Sequence, residues 1–136
     1  MRKAPDLSIS PEKVFFIATK SRQSDGTAAD LNANSGSADD DAVHGSRDRS
    51  RTADRSELSG FIQDLNVDEQ IDLVAMMWLG RGDGDLYNWN DLRSEASRAH
   101  NNRTASYLIE TPMLADYLEE ALSQFGMSPE DFEEPL

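Results

Sequence analysis

His100, Asn101, Asn102 and Arg103 stand in a row inside "RAHNNRTASY", residues 98–107. Histidine changes charge nearest neutrality and can act as acid, base or anion contact. Arginine adds a planar cationic fork that matches a carboxylate or phosphate. The pair therefore points to anion binding or to acid–base chemistry. On an unbroken helix with Leu92 at zero, about 100° per residue puts Ala96 near 40°, Arg103 near 20° and His100 near 80°. Arg103 then aims into the apolar stripe, and His100 sits on its edge. A guanidinium turned inward needs a carboxylate or carbonyls, because stranding it costs roughly several kcal/mol. Asp72, Glu110, Asp83 and Asp85 are the acids to look to. His100, Asn102, Arg103, Asp72, Asp83 and Asp85 are thus the expected ligand-binding set, and no catalytic residue is assigned. The competing reading is a purely structural polar joint, with Asn101 or Asn102 capping a kink.

Other chemistry is poorly supported. "GRGDGD", residues 80–85, lacks the strand and helix that a dinucleotide fingerprint needs, and Asn88 stands where a calcium loop wants glycine. It reads as a helix stop and turn, with Asp83, Asp85 and Asn88 or Asp91 as a weak cation alternative. Cysteine is absent and the two histidines are His44 and His100, so no zinc site is expected. No nucleophile elbow or phosphate loop is present, and no cofactor is expected. Asp116, Glu119 and Glu120 read as a solvated face, and Met76, Met77 and Trp78 as core.

The elements that must position these residues are helical. Ser10 and Pro11 open a first helix whose Val14, Ile17, Ala18 and Ser21 share a face. Residues 23–56 have no aromatics and only Leu31 and Val43 as bulky apolar groups, so they are expected to be a disordered linker. Leu58, Phe61, Ile62 and Leu65 mark a second helix. Asn66 with Glu69 forms a capping pattern for a third, apolar nearly all round and therefore central, with Gly80 as its left-handed stop. Asn88 with Asp91 caps a fourth, running from Trp89 to about Glu110 either whole or broken near Asn102, with a Tyr87–Leu92 staple. Thr111-Pro112 starts a fifth, striped by Leu114, Tyr117, Leu118, Ala121, Leu122 and Phe125 and ended by Gly126. Ser128 restarts a short helix. The expected fold is all-α: a compact bundle of about five helices. The expected division is an N-terminal helix over 1–22 packing on the main body, the linker over 23–56, and an acidic helical domain over 57–136.

Charge is lopsided. Residues 1–55 balance nine acids against nine Lys and Arg, whereas residues 56–136 set 17 acids against four arginines and carry the whole net charge of −13. Such a surface repels phosphate backbones, so direct nucleic-acid binding is not expected. The early run "VFFIA" is too short for a signal peptide or a membrane span, so a cytoplasmic protein without membrane contact is expected.

Three segments, "SISPEKVFFI", "DEQIDLVAMMWLGRGDG" and "RAHNNRTASYLIETPMLADYLEEALSQFG", resemble a small bacterial family catalogued as domain of unknown function 3775. The resemblance covers roughly residues 8–20 and 57–133. It implies no activity and carries over no residue role. The leading expectation is a non-enzymatic protein–protein interaction module whose partner is another protein. The alternatives are a small enzyme or anionic-ligand-binding protein using His100 and Arg103, and an acidic mimic of nucleic acid.

Overall fold

The computed structural model describes residues 6–33 and 53–127. Among the described residues there are six α-helices and one short 3-10 turn, and no strand. They are α1 (Pro11–Ala33), α2 (53–64), α3 (Val67–Arg81), α4 (Trp89–Ala99), α5 (Thr104–Glu110) and α6 (Leu114–Gln124). The all-α expectation holds. α1 runs to Ala33, and residue 53, the first described after the gap, is already helical. Residues 34–52 of the expected linker, and the short helix expected after Ser128, lie outside the described residues.

Local chemistry starts the helices as anticipated in two places. The Ser10 hydroxyl accepts from the Lys13 N–H at 3.3 Å, and Val14, Ile17, Ala18 and Ser21 are all buried behind it. Asn66 caps α3 with a reciprocal box: its side chain accepts from Glu69 N–H, while Glu69 accepts from Asn66 N–H. Both ends of that box satisfy backbone donors that a helix start leaves open.

α3 is the central element. Ile71 through Met77 are buried without interruption, and the helix packs chiefly on α6 and α4. Gly80 does not end it. The helix continues to Arg81, and Gly82, at φ 100°, takes the left-handed stop. Gly80 serves packing instead: a Cβ there would lie 1.8 Å from the Tyr117 carbonyl oxygen, so only glycine lets α3 and α6 approach this closely.

Beyond α3, Asp85 caps the 3-10 turn Leu86–Asn88. Asn88, expected to cap α4, instead accepts from Asp85 N–H and gives α4 no side-chain cap. Tyr87 is 77% exposed, whereas Leu92 is buried. Trp89, at the start of α4, packs edge-on against Phe125 with ring centroids 5.1 Å apart. α6 closes the body through Leu114, Leu118, Ala121 and Leu122, and Gly126, at φ 87°, stands just past its end.

Candidate functional site: a cationic cleft where the fourth helix breaks

Of the two courses expected for the fourth helix, whole or broken near Asn102, the chain takes the broken one. α4 ends at Ala99, residues 100–103 form an irregular joint, and α5 starts at Thr104. The asparagine explains the break. Asn101 Oδ1 accepts from the Arg103 N–H at 2.7 Å, an Asx-type turn that competes with helical hydrogen bonding. Thr104 closes the other side: its Oγ1 accepts from Asn101 N–H at 3.1 Å and donates to Asn101 O at 2.9 Å.

The break changes where Arg103 goes. An unbroken helix sends it inward, whereas the joint leaves it exposed at the rim of a cleft. The cleft has a volume of about 270 Å³. Val74, Ala96 and Ala99 give it apolar walls, and His100, Asn101, Arg103, Thr104 and Tyr107 give it polar ones. No carboxylate lines it among the described residues.

Two of the polar groups, His100 and Tyr107, are held from behind. His100 Nε2 lies 2.7 Å from Gln70 Oε1 on α3, and Gln70 Nε2 in turn donates to Ile62 O at 2.9 Å and Leu65 O at 3.2 Å. The Tyr107 hydroxyl accepts from Trp78 Nε1 at 2.9 Å. It also lies against Arg81, whose pKa is raised first by its hydrogen bond to Asp83 and more weakly by Tyr107. With a lone pair so used, the hydroxyl still has its hydrogen to donate.

Arg103 differs from most other described cations. Lys13, Lys20, Arg22, Arg81, Arg93 and Arg98 each face an acid. The Arg103 guanidinium faces none among the described residues. Among the described residues, the cleft thus presents a cation facing no acid, a histidine and a phenolic donor over a small apolar floor.

The expected site set is therefore split. His100 and Arg103 meet in the cleft. Asn102 is exposed and not part of its lining. Asp72 is fully buried on α3, but its partner is Arg93 rather than Arg103: Arg93 Nε donates to Asp72 Oδ1, and the N–H groups of Ser8 and Ile9 donate to Oδ2. Asp83 is engaged by Arg81 at 2.6 Å, and Asp85 is spent on capping Tyr87 and Asn88 N–H. The described residues hold no group of three or more metal-ligating side chains. Sequence reasoning missed Arg93, Gln70 and Tyr107. Arg93 carried a signal, since about 100° per residue places it beside His100 on the edge of the same stripe. Tyr107 carried the same signal, at about 60° on that stripe, whereas Gln70 carried none that distinguishes it from an ordinary surface position.

Fold and cleft together define a small all-α domain built around one buried central helix, with no described helix long and apolar enough to cross a membrane. Residues 55–127, more than half of the chain, match the family described as Protein of unknown function (DUF3775), and the chain belongs to that family. The match takes in the cleft and its supports on α2 to α5, but not the stretch at residues 8–20. Comparison with curated proteins and with solved structures gives no match.

Proposed function

We propose that this chain is a non-enzymatic binding module whose cleft receives a carboxylate side chain from a partner protein. One observation carries the reading. In a chain of net charge −13, the cleft is lined by Arg103 and His100 with no acid among the described residues. Its size supports a side chain rather than a cofactor, since ligand pockets start at about 300 Å³. Binding is favoured over catalysis because Thr104, the aliphatic hydroxyl in the lining, is already engaged in both directions with Asn101. His100 therefore has no serine-type nucleophile to activate there.

The test is an NMR titration of the full chain with a short peptide carrying one glutamate, its glutamine counterpart, and acetate. The glutamate peptide should shift the His100, Arg103 and Tyr107 resonances and bind more tightly than acetate, while the glutamine peptide should do neither. Arg103→Ala should abolish the response while changing stability by no more than about 0.5 kcal/mol, because the side chain is exposed. A response that survives Arg103→Ala, or cleft resonances that never move, rules the reading out. Acetate binding as tightly as the peptide places the ligand among small free acids instead.

A further inference from the structure

Gln70 fixes which nitrogen of His100 the cleft offers. Backbone carbonyls only accept hydrogen bonds, so the contacts to Ile62 O and Leu65 O identify the donor end of the Gln70 amide. Its oxygen must then face His100, and an amide oxygen only accepts. Nε2 of His100 therefore carries a proton in both the neutral and the charged ring, and Nδ1 is the nitrogen left to an occupant. No described residue hydrogen-bonds Nδ1.

We infer that Gln70 is a positioning residue that makes carboxylate capture in this cleft proton-linked through His100 Nδ1, an inference that rests on the binding role proposed above. With Nδ1 unprotonated, its lone pair meets the lone pairs of an incoming carboxylate and repels it. With Nδ1 protonated, it donates, and Arg103 and the Tyr107 hydroxyl complete a set of three donors. The charged and titratable groups in the cleft wall are His100, Arg103 and Tyr107; α3 contributes Val74 and α4 contributes Ala96 and Ala99, all uncharged. The Gln70 contact behind the ring is uncharged as well. Among the described residues the lining holds no acid, so the occupant supplies the negative charge that faces Arg103 and a protonated ring. A bound carboxylate offsets both, so one proton enters the ring as the ligand enters the cleft. The site thereby selects an occupant that can accept from three donors, and rejects an amide, whose NH₂ would face one of them.

The experiment measures the affinity of the full chain for the glutamate peptide between about pH 8 and pH 6, the span in which histidine changes charge. Ring nitrogen shifts of His100 are recorded alongside, with His44 as the second histidine signal. Affinity should rise as pH falls, approaching about tenfold per pH unit on the alkaline side. The free protein should show the Nε2–H tautomer. His100→Asn should still bind through Arg103, but with no pH slope. Gln70→Leu should lose the single-tautomer signature and flatten the pH slope, because a neutral ring can then donate from Nδ1, while Arg103 is untouched. Wild-type binding with a flat pH profile, or a free ring protonated at Nδ1 instead, overturns the inference and leaves the binding role standing. Absence of wild-type binding at every pH overturns both.

Discussion

Arg93 and Arg103 lie ten positions apart in the sequence and meet opposite fates. Arg93 leans from α4 onto a carboxylate that has no contact with water, and the backbone of Ser8 and Ile9 completes that carboxylate's second oxygen. The result is a closed polar joint tying α3, α4 and the segment before α1. Arg103 sits past the end of α4, where the Asn101 turn swings it out of the helical register. There it stays open. A cation kept on the helix face must be compensated, whereas one released by a break in the helix stays hydrated until a ligand supplies the charge.

The difference can be broken most forcefully at Arg93. Arg93→Met leaves the Asp72 carboxylate buried with only backbone donors, and should destabilise the fold by about 3–4 kcal/mol in urea denaturation. Asp72→Asn is milder. It keeps one acceptor but turns an NH₂ toward an existing donor, so a loss of about 2 kcal/mol is expected by the same measurement. If Arg93→Met proves no worse than Arg103→Ala, the contrast between closed and open cations fails.

A smaller effect sharpens the comparison through pH. Glu69 is held below the ordinary carboxylate range first by its hydrogen bond from Lys13, then by the Asn66 backbone N–H. A carboxyl whose pKa is lower folded than unfolded contributes stability that is full above the unfolded value. That contribution is lost as pH falls through the lowered folded value. Lys13→Met should therefore reduce stability at neutral pH by less than about 1 kcal/mol, and the gap between variant and wild type should shrink on acidification below pH 4.5. The smallest expected change is the one at Arg103, whose removal should alter ligand capture and leave folding nearly untouched.

The fold was legible where one local rule decides the outcome. Ser10, the Asn66–Glu69 box and Gly126 each act within a few residues of themselves, and the stripe of α6 needs only its own spacing. The site was half legible. His100 and Arg103 stood out by type, but the angle argument holds only for an unbroken helix, where it turned Arg103 inward toward Asp72, Glu110, Asp83 or Asp85. Asn101 was legible in the competing reading, as one of two asparagines able to cap a kink, and its side chain accepts from the Arg103 N–H at the break. Gly80 misled for a related reason: in sequence it looks like a stop, and only its contact with Tyr117 reveals a crossing.

Composition and periodicity alone determined that this chain is helical, that α3 is central, and that its net charge lies after residue 55, because each follows from summing nearby residues. Tertiary structure decided which acid meets which cation, that the fourth helix breaks, and that a cleft opens at the break. Those outcomes depend on where separate helices cross. Hydrogen bonds such as Gln70 to His100 join residues whose neighbours in the sequence give no sign of one another.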